Sequence, residues 1–254
     1  MCLIAFAWQA HADYPLVVVG NRDEFYNRPA QSAHFWEEQP QIFGGRDLSA
    51  GGTWMAVALN GRFAAVTNYR DPQNLNPQAK SRGALVSDFL LGDFTATDYA
   101  NHILARANDF NGFNLLVCDG QSMAYCSNQL TQMRLLEPGV YALSNALLDT
   151  PWPKTIAARE QLRQWLDSPG STKSLLSLLG DTCQAEDQKL PKTGIPYAME
   201  KALSAQFIQL EHYGTRCTTA FTVTSSGQAE FIERTFQPDT KLTQHSFVDF
   251  WCNY

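Results

Sequence analysis

The sequence predicts an α+β fold in which antiparallel sheets are covered by helices. Two strand pairs open the chain, helical periodicity follows, and further strand, helix and strand segments come after it. Grouped strands joined by tight turns favour antiparallel sheets, whereas a doubly wound parallel sheet needs regular alternation of strand and helix. With 254 residues, of which 44% are hydrophobic and 12% aromatic, the chain can bury a sizeable core, and we predict one domain over residues 1–254.

The first two strands predict a hairpin at the start of the chain. Residues 2–8 and 16–20 are apolar, partly β-branched runs. The segment between them contains Asp13 and Pro15, residue types that favour a turn. The second run leads directly into the polar residues at 22–24, which we expect at the end of that strand.

Asn60-Gly61 indicates a second hairpin, because this dipeptide accepts the positive φ angles of a tight two-residue turn. Strand patterns flank it at residues 54–59 and 63–69. Residues 184–196 are polar and indicate a surface loop. Later strands are predicted at residues 113–118, 123–127, 133–136, 140–144, 217–224, 229–234 and 246–251.

Helices are predicted where apolar residues recur with a period of about 3.6. One segment covers residues 84–91, and a second covers 99–107 behind Thr97 as its N-cap. A longer helix runs over residues 153–166 and begins with proline, which is favourable in the first turn. Residues 175–180 form a further short helix that ends at a glycine.

Charge and cysteine content limit the classes of partner. The net charge is −6 and no run of lysine or arginine is present, so we expect neither nucleic acid nor an anionic membrane surface as a partner. No apolar stretch approaches the length of a membrane span, and the chain begins on a strand pattern with no secretory leader. The six cysteines form no C-x-x-C pair, which argues against zinc and favours a reduced, cytoplasmic setting, while their even number leaves an oxidising compartment open.

Cys2 is the first candidate for chemistry. If Met1 is removed, Cys2 carries a thiol and a free α-amine, with ordinary pKa values of about 8.5 and about 8. One residue then supplies both a nucleophile and a base, which is the chemistry of N-terminal nucleophile hydrolases. The alternative is structural, since cysteine is also a small apolar residue suited to the start of a buried strand.

Further polar side chains lie where predicted strands end. An asparagine amide can donate to a developing oxyanion, an arginine beside a thiol favours the thiolate, and an acid can orient an α-amine. Each residue alone also fits a turn or a surface ion pair, but together they match the needs of a thiol amidohydrolase. The candidates are Arg22, Asp23, Glu24, Asn68, Asn145 and Arg216.

Several segments resemble the NRDE family, also called the Transport and Golgi organization protein 2 family. The signature is GNRDEFYNRP at residues 20–29. Matching segments follow in order: GGTW at 51–54, AVTNY at 65–69, SRG at 81–83, FNGFNL at 110–115, LSNALLDTPW at 143–152 and YGTR at 213–216. The resemblance implies a link to haem trafficking and to lipid or acyl-CoA handling, without an agreed activity.

A more distant resemblance is to the cholylglycine hydrolase and penicillin V acylase group of N-terminal nucleophile enzymes. It implies a four-layer αββα sandwich and a set of catalytic residues in a fixed order. That order is matched here by Cys2, Asn68, Asn145 and Arg216. The arginine and aspartate of the group are not neighbours, whereas Arg22 and Asp23 are adjacent. Because adjacent strand residues face opposite sides, it stays open whether Asp23 or Glu24 belongs to the site.

The sequence therefore predicts an amidohydrolase that cleaves a non-peptide linear amide, or a thioester, of a small apolar acyl compound through an acyl-Cys2 intermediate, without metal or cofactor. Aromatic residues that could bind the apolar part, or equally belong to the core, are Phe6, Trp54, Tyr69, Phe113 and Trp152. The alternative is a haem or lipid carrier on the same fold without hydrolase activity. Its haem ligands would come from Cys2, His11, His34, His102, His212 or His245, none of which lies in a C-x-x-C-H motif.

Overall fold

The computed structural model describes residues 2–236, 242–252 and 254, with only the backbone described at 242 and 243. The strands are β1 (Cys2–His11), β2 (Tyr14–Phe25), β3 (Ala30–Trp36), β4 (Gln39–Asp47), β5 (Met55–Ala58), β6 (Phe63–Asn68), β7 (Phe113–Cys118), β8 (Met123–Ser127), β9 (Arg134–Leu135), β10 (Gly139–Leu143), β11 (Tyr213–Val223), β12 (Gln228–Phe236) and β13 (Leu242–Trp251). The α-helices are α1 (Ala84–Leu91), α2 (Ala96–Leu104), α3 (Pro153–Asp167), α4 (Thr172–Leu175) and α5 (Tyr197–Ala202). Met1, whose removal the amine chemistry of Cys2 requires, lies outside the described residues.

The strands form two antiparallel sheets that pack face to face. Their strand orders are β10-β1-β2-β11-β12-β13 and β3-β4-β5-β6-β7-β8-β9. One apolar cluster fills the space between the sheets, a second lies under α1 and α2, and a third lies under α3 and α4. The predicted four-layer αββα sandwich is confirmed. Within the described residues, none of the helices combines the length and apolar character of a transmembrane helix.

β1 is apolar on both faces because both faces are covered. Ile4 and Phe6 belong to the cluster between the sheets, whereas Leu3 and Ala5 pack on the helix side. All four side chains are fully buried. Double coverage explains why residues 2–8 appear in the sequence as a continuous apolar run and not as an alternating pattern.

Both predicted hairpins are confirmed, as β1–β2 and β5–β6, and Gly61 adopts the positive φ of the second turn. The N-cap of α2 was predicted incorrectly. It is Thr95, not Thr97, because the Thr95 side chain accepts a hydrogen bond from the Asp98 backbone N–H. The helix expected at residues 175–180 was also wrong, since α4 ends at Leu175 and turns follow it.

β3 and β4 were not predicted, and neither was α5. Among the described strands β3 pairs with β4 alone, and part of its length is exposed. Its register shifts twice, so its side chains lack the alternation of a half-buried strand. β2 also runs further than expected. It continues to Phe25, so the polar residues 22–24 lie inside the strand and alternate between its two faces.

We predict that Gly44→Ala destabilises the sheet that carries β4. A Cβ atom at Gly44 would lie 2.5 Å from the Ala56 Cβ and 2.9 Å from the Met55 carbonyl oxygen on the paired strand β5. The strands must separate to admit it, and we expect the free energy of unfolding to fall by about 1–3 kcal/mol, measured by denaturant titration.

The matched control is Gly180→Ala. Gly180 is exposed, and the nearest atom to an added Cβ would be the Ser177 carbonyl oxygen at 3.4 Å, an ordinary contact. Its stability should stay within about 0.5 kcal/mol of the unmodified protein. Equal stability of the two variants would contradict the packing described for β4 and β5.

Candidate functional site

A cleft of about 720 Å³ opens between the sheets, where β1 begins and β2 ends. The β4–β5 loop, the segment before α1 and the ends of β11 and β12 complete its walls. Its volume lies in the range of small-molecule sites. The lining residues with reactive, polar, charged or aromatic side chains include Cys2, Arg22, Glu24, Arg28, Asp47, Trp54, Asn68, Lys80, Arg82, Arg216, Cys217 and Glu233. Asp23 also borders the cleft, next to Arg22 on β2.

Cys2 is the first residue of β1 and lies at the wall of the cleft with 8% of its surface exposed. The Ser144 hydroxyl donates a hydrogen bond to the Cys2 carbonyl oxygen at 2.9 Å and anchors the start of the strand. Burial raises the pKa of the Cys2 thiol, and the Asp23 charge raises it further, while Arg22 and a hydrogen bond with the Asp23 backbone lower it. The thiol form therefore dominates near neutral pH.

Two thiols flank Arg22 across three neighbouring strands. In register, Arg22 lies opposite Cys2 on β1 and opposite Cys217 on β11. Directly opposed residues share a face, so all three face the cleft. Two strand spacings separate the cysteine Cα atoms by about 10 Å, beyond the reach of a disulfide.

The alternation along β2 separates the two acids that the sequence left open. Glu24 shares the cleft face with Arg22, and their charged groups are 3.7 Å apart. Asp23 points to the opposite face, where its Oδ1 accepts a hydrogen bond from the Thr215 hydroxyl at 2.7 Å. Tyr213 donates its hydroxyl to the Asp23 carbonyl oxygen. Asp23 is thus a buried acid behind the start of β1, and Glu24 is an acid of the open cleft.

Asp23 belongs to a buried charged cluster beneath Cys2. Burial raises the pKa of Asp23, and the Lys154 charge is among the effects that oppose this. Lys154 is 3% exposed, donates its Nζ to the Leu203 carbonyl oxygen, and has its pKa lowered to about 8 by burial. The ion pair between Arg70 and Glu200, at 2.6 Å, lies in the same region.

An ionic network holds the β4–β5 loop against β2. Arg28 Nε lies 2.7 Å from Asp47 Oδ2, and Arg22 Nη2 lies 3.6 Å from the same oxygen. The other Asp47 oxygen accepts the backbone N–H groups of Ser49 and Ala50. Arg22 and Arg28, both in the segment 20–29, therefore fix the cleft wall by binding Asp47, which lies outside that segment.

The two predicted asparagines have different positions. Asn68 lines the cleft at the end of β6. Asn145 is fully buried behind it and does not line the cleft; its Nδ2 donates to the Asn68 carbonyl oxygen at 2.9 Å. Asn145 thus positions Asn68.

Arg216 lies in a β-bulge of β11, between Thr215 and Cys217 in the register with β2. The bulge turns its side chain into the cleft, where Nη1 donates to the carbonyl oxygens of Phe25 and Arg28 at 2.9 and 3.2 Å. Burial lowers the pKa of Arg216.

Of the five aromatic candidates, only Trp54 lines the cleft. Phe6 is fully buried and stacks on Tyr141, and Phe113 is fully buried beside Phe110. Both rings serve core packing, which corrects their assignment as substrate contacts. Trp152 lies under the Arg70 guanidinium, away from the cleft, and Tyr69 is absent from the cleft wall as well.

Four residues that line the cleft were not among the predicted site residues: Asp47, Arg82, Cys217 and Glu233. Arg82 precedes α1 and donates to the Gly112 carbonyl oxygen at 2.9 Å; its position inside the SRG segment was the available signal. Cys217 lies near the buried Glu233 carboxyl, and burial raises the pKa values of both groups. Among the described residues, no cluster of three or more His, Cys, Asp or Glu is arranged to hold a metal ion.

Comparisons with known proteins agree with this architecture. A family model described as Transport and Golgi organisation 2 matches residues 1–238. The chain is 35% identical over 257 residues to a Transport and Golgi organization protein 2 homolog from Bos taurus and 33% identical over 256 residues to one from Homo sapiens, each match covering 92% of both proteins. The solved structure of the mutant C2A conjugated bile acid hydrolase from Clostridium perfringens is similar with a TM-score of 0.51 at 8% identity, covering 98% of this chain and 92% of that one. At this identity the likeness concerns the fold alone.

The buried Lys154 predicts a specific pH dependence of stability. Its pKa is about 8 in the folded protein against 10.5 in the unfolded chain, so between these values the unfolded state binds more protons and stability rises with pH. Relative to Lys154→Met, the unmodified protein should gain about 2–3 kcal/mol of unfolding free energy from about pH 7 to about pH 10. Denaturant titrations at several pH values measure this difference.

Lys173→Met is the control, because Lys173 is exposed on α4 and its ammonium is solvated in both states. Its difference from the unmodified protein should stay nearly constant over the same pH range. If the difference in unfolding free energy between Lys154→Met and the unmodified protein also stayed constant with pH, the lowered pKa of Lys154 in the folded protein would be contradicted.

Proposed function

Because the chain belongs to the Transport and Golgi organisation 2 family and its fold is similar to that of a bile acid hydrolase, we propose that it is an N-terminal cysteine hydrolase of a linear amide or thioester. The observation that carries the proposal is the position of Cys2 at the start of β1 on the cleft wall, directly opposite Arg22. The six cysteines are free thiols, and a reducing, cytoplasmic compartment is part of the proposal.

The strand register supports a role for Asp23 in binding the α-amine. In an antiparallel pair, moving back along β1 from Cys2 corresponds to moving forward along β2 from Arg22. The position beyond Arg22 is Asp23. An α-amine created on Cys2 by removal of Met1 is therefore directed toward this buried carboxylate, which would stabilise the ammonium form.

In the proposed reaction, Cys2 Sγ attacks the substrate carbonyl carbon while its proton passes to the Cys2 α-amine. The ammonium then protonates the leaving nitrogen or sulfur as its bond to carbon breaks, which leaves an acyl-Cys2 thioester. Water attacks that thioester, again with the amine as base, and releases a carboxylic acid and the free thiol. Every proton transfer uses the same amine, and no cofactor is required.

Asn68 is the proposed donor to the oxyanion. It lies on the cleft wall, and within the described residues its side-chain amide makes no hydrogen bond to another group. The buried Asn145 side chain donates a hydrogen bond to the Asn68 carbonyl oxygen. The hydroxyl of the adjacent Thr67 donates to the Ser144 carbonyl oxygen, so the backbone at Asn68 is held in place. A positioned amide that is free to accept a new partner is what an oxyanion site needs.

The second candidate is a carrier of haem or lipid in the same cleft. The observation that favours it is the cleft of about 720 Å³ with several arginines on its wall, because guanidinium groups bind carboxylates and phosphates. None of the five histidines, all of which lie in the described ranges, lines the cleft. Haem carried there would therefore take its iron ligand from Cys2 or Cys217, and the cleft arginines would bind its carboxylates.

We predict that hydrolysis requires the free amine of Cys2. Cys2→Ser, and a form that keeps a residue ahead of Cys2, should both lose at least about 10³-fold in turnover of an acyl-amide and thioester panel, because each removes the nucleophile or the base. Intact mass spectrometry should detect an acyl adduct on the processed protein only. Cys183→Ser changes an exposed cysteine outside the cleft and is the control with full turnover.

A haem titration followed by the Soret band separates the two candidates. Stoichiometric binding that is indifferent to the residue ahead of Cys2, together with no turnover in any form, would replace the hydrolase with the carrier. Turnover that depends on the free amine would exclude a carrier without hydrolase activity.

Asn68→Ala should lower kcat by about 10²–10³-fold, because the oxyanion loses a donor, while KM changes little. Asn74→Ala removes an exposed asparagine outside the cleft and serves as the matched control. An Asn68→Ala enzyme with unchanged kcat would remove Asn68 from the mechanism.

A further inference from the structure

Most charged groups of the cleft wall already have a partner of opposite charge. Arg22 and Arg28 share Glu24 and Asp47. Lys80 pairs with Asp109, and Arg46 pairs with Glu38. The buried acids Asp23 and Glu233 are each held by hydroxyl or N–H donors.

Arg82 and Arg216 differ from these groups. Both line the cleft and are partly buried, and within the described residues neither lies within ion-pair distance of a carboxylate. Their guanidinium groups donate hydrogen bonds to backbone carbonyl oxygens: Gly112 for Arg82, and Phe25 and Arg28 for Arg216. The rest of each guanidinium's donors face the cleft or its solvent.

A partly desolvated guanidinium without a counter-charge is energetically unfavourable. Burial lowers the pKa values of both arginines, and the Glu24 charge opposes this at each of them. The positive charge of Arg82 and Arg216 also contrasts with the net charge of −6 for the whole chain. A cationic cleft in an acidic protein attracts anions selectively to that one place.

We infer that Arg82 and Arg216 form an anion-binding site in the cleft, and that the molecule bound beside Cys2 carries a carboxylate or phosphate group. This inference rests on the proposed function for the identity of the reacting bond, and it adds the charge of the substrate. The planar guanidinium fork matches both oxyanions. A neutral acyl-amide would leave both arginines without a counter-charge.

The binding test uses Cys2→Ser protein, so that binding is measured without turnover. Hexanoate, hexyl phosphate and the neutral hexanamide are titrated by calorimetry. At least one anion should bind at least about tenfold more tightly than hexanamide, and its affinity should fall with added salt. The tighter of the two anions identifies the substituent as carboxylate or phosphate.

Arg82→Gln in the same background should weaken the preferred anion by at least about tenfold and leave hexanamide unchanged. Arg82→Lys, which keeps the charge but not the fork, should fall between. Lys80→Gln is the matched control, because the Lys80 ammonium is neutralised by Asp109. Thermal unfolding of each variant verifies that it is folded.

Equal affinity for anion and amide, no measurable binding of either anion, or an Arg82→Gln variant that binds as the parent does would each overturn the inference. Because no turnover is needed, these outcomes are independent of the hydrolase proposal. Protein that binds the anion through Arg82 but never hydrolyses any acyl compound would retain the site and refute the enzyme.

Discussion

The hydrogen bonds between the end of β6 and the turn after β10 are the constraint on which the cleft depends. These segments belong to different sheets, yet the Thr67 hydroxyl donates to the Ser144 carbonyl oxygen at 2.6 Å and the Arg70 N–H donates to the Asn145 carbonyl oxygen at 2.7 Å. Ser144 in turn donates to the Cys2 carbonyl oxygen. One buried chain of bonds thus links Cys2 on one sheet to Asn68 on the other. Because each unmade buried bond costs about 1–3 kcal/mol, the two sheets cannot slide here without a large penalty.

β2 connects this constraint to the chemistry of the cleft. Its first half is buried on both faces, and its last residues carry charge within the same strand. Strand alternation then sends Arg22 and Glu24 to the open face and Asp23 to the helix side, where Lys154 and Thr215 surround it. The acid that we propose to hold the α-amine and the acid that pairs with Arg22 are thereby kept apart, although they are neighbours in sequence. The bulge at Arg216 on the adjacent strand adds a further cation to the open face.

The parts of the molecule that follow from local pattern were accessible from the sequence. The double-sided apolar run of β1, the Asn60-Gly61 turn and the proline at the start of α3 each carry their own signal. β3 and β4 carry none, because their pairing depends on an exposed edge with shifted register. The same limit applies to the site. Position and resemblance pointed to Cys2, whereas the place of Asp47 in the cleft wall depends on Arg22 and Arg28, which are distant from it in sequence. Phe6 and Phe113 were predicted to contact substrate because they lie near sequence motifs, but both rings face the core.

The raised pKa of the Cys2 thiol constrains how the proposed hydrolase can work. Burial outweighs the nearby arginine, so the resting thiol is protonated and a preformed thiolate does not explain reactivity. The thiol proton must therefore leave during attack, to a base within reach of Sγ. In the proposed mechanism the α-amine of Cys2 is that base by covalent geometry, and the Asp23 carboxylate on the far face would stabilise its charged form. Arg82 and Arg216, the two cleft arginines without a carboxylate partner among the described residues, are then the groups we propose for substrate binding. In this proposal the acid that stabilises the amine and the arginines that bind the substrate lie on opposite sides of β2.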